Sequence, residues 1–189
     1  MWQEMAKFGK KLVDHGLVES NFGNISVRIA DRMIITKSGV ALDEITEDGV
    51  VEVPIEGTSE LDRIASTETV VHRAIYRNTP ALAIMHAHCP YSVVQTLIGD
   101  PESIIPLDSE GIHFLHEIPV FRGMMGTAGL AEGAANSLSD HKGAIAYSHG
   151  TFAIGKTLAE AYIITTQIEH SCRIKYLVDL AKKGIPGTP

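Results

Sequence analysis

The sequence predicts an α/β chain of the α+β type, with a central mixed or antiparallel sheet covered by helices. Three observations carry this expectation. β-rich runs stand at hairpin spacing, helical periodicities precede and follow them, and no repeat, low-complexity tract or long linker interrupts the 189 residues. That length fits one domain with a sizeable core, so 1–189 is expected to form a single unit.

Taken in order, residues 1–15 place Trp2, Met5, Phe8, Leu12 and Val13 on one stripe, and Gly16 stops the helix. Residues 25–29 and 33–36 are β-rich and flank the polar turn Ala30-Asp31-Arg32, which predicts a hairpin. Residues 50–54 form another short strand. Ser66–Asn78 reads as a helix capped at Ser66 or Thr67 and ended before Pro80. Residues 81–88 read as a strand, and Pro90 suits the first turn of a helix running to Ile98. Thr127–Leu138 is an alanine-rich helix, followed by strands over 143–150 and 151–155. The last helix opens on the capping box Thr157-Leu158-Ala159-Glu160 and stays periodic to Leu180. Lys182 and Lys183 complement its dipole, and Gly184 and Pro186 close it.

Composition narrows the function. With 44% hydrophobic and 21% charged residues, the chain looks like an ordinary soluble globular protein. No run approaches a membrane span, and the N-terminus lacks the apolar stretch of a signal peptide, so a cytoplasmic protein is expected. Two cysteines, Cys89 and Cys172, are too few for a disulfide framework and read as reduced, buried thiols, with a metal role as the weaker alternative for Cys89, which directly follows a histidine pair. The net charge of −7 without a basic run argues against nucleic acid as a partner. It leaves room for a phosphate ligand, because backbone amides bind phosphate without net positive charge.

His86 and His88 lie two apart at a strand end, so both imidazoles project to one side. That suits two neighbouring ligands of one metal ion. A third ligand has to come from elsewhere and leave a position open for substrate. His72, His113, His116, His141 and His149 are the candidates. His149, in Tyr-Ser-His-Gly after an apolar strand, is the best of them, because strand ends on one sheet edge converge. Three imidazoles suit zinc, and also cobalt, nickel, manganese or iron. His72 sits mid-helix and His15 near a helix end, where packing or surface roles suffice. No His-Glu-x-x-His pattern is present, so a zincin protease is not indicated.

Ser66-Thr67-Glu68 opens the helix that leads to the histidine strand. A serine cap with an acid in the first turn explains it fully; an anion site with Glu68 as a general base is the sharper alternative. Residues 21–28 put glycine and asparagine just before a strand, and Thr36-Lys37-Ser38-Gly39 puts a hydroxyl and a glycine just after its hairpin partner. Each is a simple turn when taken alone. Together the two ends lie close and could present amides and hydroxyls to a phosphate.

Gly23-Asn24-Ile25-Ser26-Val27-Arg28, Thr36-x-Ser38-Gly39, Ser66-Thr67-Glu68, His86-Ala87-His88 and Ser148-His149-Gly150 occur in this order across nearly the whole chain. The ordered set resembles the class II aldolase/adducin family, most closely its members that cleave L-fuculose 1-phosphate. The resemblance implies a central, mainly antiparallel sheet sandwiched between helical layers, and a homotetramer with active sites at subunit contacts. It implies that His86, His88 and His149 hold zinc or a similar divalent ion. It likewise gives Asn24, Ser38, Gly39, Ser66 and Thr67 to the substrate phosphate and the acid/base role to Glu68. The implied reaction is metal-dependent cleavage of a ketose 1-phosphate to dihydroxyacetone phosphate and a short aldehyde such as L-lactaldehyde.

Related sugar-phosphate epimerases, dehydratases and decarboxylases use the same kind of metal site. The epimerases typically carry aspartate where this chain has Glu68, which favours the aldolase. A structural, adducin-like member would be expected to lose the metal ligands, and this chain keeps all three. The chain departs from the fuculose aldolases at 105–113, where they contribute a tyrosine across the subunit contact. Asp108, Glu110 and His113 are the candidate substitutes there. No tyrosine follows Tyr176 either, where those enzymes carry a functional one in their tail.

Overall fold

A strand that is buried on both faces must be apolar nearly throughout, and one stretch of the chain meets that demand at its centre. In a computed structural model that describes residues 1–183, this strand, β4 (Ala83–Ala87), is buried at every position. The elements before it are α1 (Trp2–Asp14), β1 (Asn24–Ile29), β2 (Arg32–Thr36), β3 (Val50–Pro54) and α2 (Thr69–Asn78). After it come α3 (Pro90–Leu97), β5 (Ser103–Ile104), α4 (Ser109–Phe114), β6 (Ile118–Phe121) and α5 (Ala128–Leu138). Next are β7 (Gly143–Ala146), β8 (Gly150–Gly155) and α6 (Leu158–Lys183). The predicted closure of the last helix at Gly184 and Pro186 lies outside the described residues.

All eight strands form one sheet in the order β3-β2-β1-β4-β8-β7-β6-β5. Only β6 and β7 run parallel; every other neighbouring pair is antiparallel. The mainly antiparallel sheet between helical layers is therefore as expected. On one face Val71, Ile75 and Tyr76 of α2 and Leu130, Ala134 and Leu138 of α5 pack against Ile84 and Phe152. On the other, Met5, Phe8 and Leu12 of α1 and Leu158 and Ala161 of α6 pack against Ala83, Met85 and Ala87. Strand alternation thus sends successive β4 side chains into two separate cores. Each large apolar side chain buried there contributes about 1.5–3 kcal/mol. Among the described residues, no helix is long and apolar enough to cross a membrane.

The structure revises three boundaries and adds three short elements. The hairpin turn is only Ala30-Asp31, since Ile29 pairs with Arg32 and Ala30 takes φ 54°. The α2 helix starts at Thr69, so Ser66-Thr67-Glu68 is a turn before it, and neither Ser66 nor Thr67 is its cap. Ser66 Oγ accepts instead from Glu68 N–H at 3.2 Å. The strand expected over 143–150 ends at Ala146, and Tyr147, Ser148 and His149 form a tight turn into β8. Short pieces at Ser103–Ile104, Ser109–Phe114 and Ile118–Phe121 were not anticipated. The terminal helix opens on the expected Thr157 cap, whose Oγ1 accepts from Glu160 N–H (3.1 Å), while Glu160 Oε2 reaches one residue further back than a capping box does, to Lys156 N–H (2.8 Å).

Candidate metal centre and anion cleft

Antiparallel pairing with β4 brings Asn24 opposite His86, and Phe152 opposite His86 on the other side. His86 shares the face of Ile84, and His88, just past the strand end, follows on that face by alternation. The β7–β8 turn delivers His149 to the same place. One ligand atom from each of His86, His88 and His149 lies within 4.8 Å of the other two.

The hydrogen bonds assign the protons. His86 Nδ1 lies 2.9 Å from Thr151 O, a pure acceptor, so Nδ1 carries the hydrogen and Nε2 presents a lone pair. That Nε2 is 3.1 Å from His88 Nε2. His149 Nε2 is buried with no partner among the described residues. Burial, joined by the other imidazoles, holds His86 well below the ordinary histidine range. His88 is pushed down to about 4 by burial and His149, and His149 is lowered by burial. Three neutral imidazoles whose ring nitrogens converge, one of them orphaned, fit a divalent transition metal. Binding would move the His88 hydrogen from Nε2 to Nδ1, which frees the Nε2 lone pair. Phe152 stacks on the His86 ring at 4.1 Å and 17°, which fixes its plane.

Three turns face the histidines. Residues 21–24, 37–40 and 66–68 line one cleft with His86, His88, His149 and Met125. Asn21 Nδ2 donates to Gly39 O (3.3 Å), Ser38 N–H to Ile64 O (3.1 Å) and Ser66 N–H to Thr36 O (3.1 Å), tying the turns together. Asn24, Ser38, Gly39, Ser66 and Thr67 are thus brought to one wall. Gly23 is required where it stands: its φ is +72°, and a Cβ there would lie 2.5 Å from His86 O.

Glu68 lies at the junction of the two walls. It is 2% exposed, Oε1 accepts from Gly126 N–H (3.2 Å), and Oε2 has no partner among the described residues. Burial raises its carboxyl to about 7, against the smaller opposing pull of the Gly126 amide. A carboxyl poised there can hold or release a proton near neutrality. Asn24 Oδ1 is also buried with no partner among the described residues.

The remaining histidines go elsewhere. His72 is fully buried against Phe152, with Nδ1 at 2.7 Å from Ser26 Oγ, and burial pushes it down to about 3. His15 meets Tyr162 Oη at 2.5 Å. His113, His116 and His141 line a separate open hollow of about 640 Å3, where His141 Nε2 pairs with Glu117 at 3.3 Å. Among the described residues, neither that hollow nor the apolar groove of about 490 Å3 beside Phe114 and Ile163 gathers ligand atoms on one point. The chemistry, not the size, marks the smaller cleft. Within one chain Asp108, Glu110 and His113 do not line it. Asp108 Oδ2 caps α4 through Gly111 N–H (2.9 Å) and accepts from Gln167 Nε2 (2.9 Å). Both cysteines are free and buried, and Cys89 packs in the opposite core from the imidazoles. Sequence reasoning missed Phe22 and Met125, which line the cleft, and Gly126, whose N–H holds Glu68. The Gly-Met-Met-Gly run at 123–126 was the available signal, a turn-rich segment with no periodicity.

Known proteins share both the fold and this arrangement of segments. The family described as Class II Aldolase and Adducin N-terminal domain matches residues 3–176. An L-fuculose phosphate aldolase of Methanocaldococcus jannaschii is 31% identical over 183 residues, covering 96% of this chain and 98% of that protein. A 5-methylthioribulose-1-phosphate/5-deoxyribulose-1-phosphate aldolase of Escherichia coli is 29% identical over 160 residues, covering 82% of this chain and 73% of its own length. The crystal structure of L-fuculose-1-phosphate aldolase from Thermus thermophilus superposes with a TM-score of 0.91 at 35% identity, covering 98% of this chain and 97% of that one. Full-length likeness in sequence and in fold leaves one assignment: the chain belongs to the class II aldolase and adducin family.

Proposed function

We propose that the protein is a metal-dependent aldehyde-lyase that cleaves a ketose 1-phosphate, L-fuculose 1-phosphate or a near relative, to dihydroxyacetone phosphate and a short aldehyde such as L-lactaldehyde. The observation that carries this reading is the convergence of three neutral imidazoles beside a buried carboxyl raised to about 7. His86, His88 and His149 would hold the ion, and zinc suits three nitrogens with an open position. Such an ion, when bound, supplies Lewis-acid stabilisation of the negative charge that carbon–carbon cleavage leaves on the ketone fragment.

The chain's own residues do the rest. Asn24, Ser38, Gly39, Ser66 and Thr67 grip the phosphate, which lies away from the breaking bond and supplies positioning. The hydroxyl that becomes the aldehyde carbonyl gives its proton to solvent water as the carbon–carbon bond breaks, and Glu68, as the carboxylic acid, delivers a proton to the carbon that has lost the aldehyde, completing dihydroxyacetone phosphate. In the synthetic direction Glu68 as carboxylate removes that proton. Incubating the metal-loaded protein with L-fuculose 1-phosphate should release dihydroxyacetone phosphate. No release, from protein that carries one ion per chain, would defeat the reading.

A second substrate is favoured by a specific feature. Phe22 stacks on His88 at 5.6 Å, and Met125 lines the same cleft. An apolar flank beside the metal centre suits a methyl- or methylthio-ended fragment, as in 5-methylthioribulose 1-phosphate. Comparing kcat/KM for the two phosphates decides between them. We also read 1–189 as one domain and the protein as a homotetramer with clefts completed at subunit contacts. The exposure of Ile105, Leu107, Ile112 and Phe114 supports that reading. Light scattering in solution tests it.

A further inference from the structure

The α3 helix is tied to two of the three histidine-bearing segments. It begins two residues after His88, and Cys89 at its cap position makes no side-chain capping bond. Glu169, 8% exposed on α6, fills that role from across the core. Its carboxylate accepts from Tyr91 N–H, Ser92 N–H and Ser92 Oγ, each at 2.8 Å. Such charge-assisted bonds are strong and satisfy amides that the helix leaves free.

The other end of α3 reaches the third ligand. Thr96 is fully buried and donates its hydroxyl proton to Val93 O at 2.7 Å. Its oxygen then accepts from Ser148 N–H at 3.0 Å. Ser148 takes φ 55°, a left-handed conformation that costs a serine energy, directly before His149. The turn that aims His149 is thus strained and pinned through Thr96. Gln95 Nε2 donates to Cys172 O at 3.3 Å and fastens the helix to α6 between these two ties.

We propose that Thr96 and Glu169 are positioning residues of the metal centre. They lie outside the cleft and act through α3, which fixes the separation between the His88 and His149 imidazoles and so the affinity for the ion. The proposal rests on the reading of the three histidines as metal ligands.

The test uses full-length protein with Thr96→Val, Thr96→Ser and Glu169→Gln. Zinc affinity is measured by competition with a chromophoric chelator, the visible absorption of the cobalt(II) form reports ligand geometry, and thermal melting is followed on the metal-free protein. Thr96→Val and Glu169→Gln should lose zinc affinity on the order of 10–100-fold, the range for groups that orient ligands from behind. They should also alter the cobalt band, and Thr96→Ser should restore both. Thr96→Val keeps size and shape, so it carries the test if Glu169→Gln fails to fold. A metal-free Tm that falls while zinc affinity and the cobalt band match the parent would overturn the proposal alone. A parent protein that binds neither zinc nor cobalt would overturn it together with the metal reading.

Discussion

One wall of the cleft carries three imidazoles at the end of β4 and in the turn before β8. The other is built from the turns 21–24, 37–40 and 66–68. The first wall works through side-chain identity, held by strand pairing, by the Thr151 carbonyl and by a stacked phenyl ring. The second works through backbone shape, with positive φ at Gly23 and Gly39 and carbonyls engaged between turns. Glu68 belongs to both: it ends the last turn, and its carboxyl is buried where the walls meet. The difference is that between a site that needs particular atoms and one that needs particular angles. The first should fail completely when one residue changes, the second by degrees.

The largest expected effect breaks the side-chain wall. His86→Ala should cost more than about 100-fold in zinc affinity, beyond what losing an outer support costs, and should abolish turnover. Elemental analysis of the purified variant, alongside dihydroxyacetone phosphate release, reads both effects. A variant that keeps its ion would detach His86 from the metal role.

Glu68→Gln should lower turnover on the order of 10²–10⁴-fold and leave metal content unchanged. It also makes a stability prediction for the metal-free protein. The folded-state carboxyl is raised to about 7 from an ordinary 4.5. The folded chain therefore holds a proton that the unfolded chain gives up between those values. Stability from this group is full below the unfolded value and is lost as pH rises through the folded one. Removing the charge should therefore stabilise the metal-free protein at pH 8 by up to about 3 kcal/mol, with little difference at pH 4. Urea midpoints at the two pH values measure this. A variant less stable than the parent at pH 8 would contradict the buried-carboxyl account.

Gly23→Ala tests where the walls touch. The new Cβ would lie 2.5 Å from the His86 carbonyl in a left-handed conformation. It should cost on the order of 3 kcal/mol in stability and weaken zinc binding as well. Gly39→Ala has the same sign of φ but open space around it. It should cost only about 1–2 kcal/mol, and KM should rise with zinc affinity unchanged. Ser38→Ala is the mildest change. Loss of one phosphate hydrogen bond, about 1 kcal/mol, should raise KM roughly fivefold and leave kcat near the parent value. Equal loss of metal in the Gly39 and Ser38 variants would erase the proposed division of labour.

The two walls also differed in how far they could be read in advance. Period-two alternation places His86 and His88 together from spacing alone, because a strand permits no other arrangement. The turns could be located but not shaped. Ser66-Thr67-Glu68 carried a helix-cap pattern, yet α2 begins three residues later. A bridge pairs Ala65 with Lys37, and Ser66-Thr67-Glu68 turns out of it before the helix begins. His149 was placed at a strand end and sits instead in a turn whose strained Ser148 is held by Thr96, a contact 52 residues away. The pieces at 103–104, 109–114 and 118–121 were too short to show a period. Gly126 and Met125 reach Glu68 and the cleft only through packing of a loop that has no pattern of its own.

Local chemistry in the sequence was enough for the longer elements, a mixed or antiparallel sheet, the histidine pair and the ordered motifs, and the resemblance those motifs carry supplied the mainly antiparallel order. These depend on interactions a few residues apart, or on alternation along one strand. Tertiary structure alone decided that the lone pair of His86 faces its neighbours, that Glu68 is buried and so raised to about 7, and that α3 links His88 to the His149 turn. Each of these comes from removing a group from water beside partners distant in the chain. Burial and long-range hydrogen bonds belong to the assembled fold, not to any segment of it.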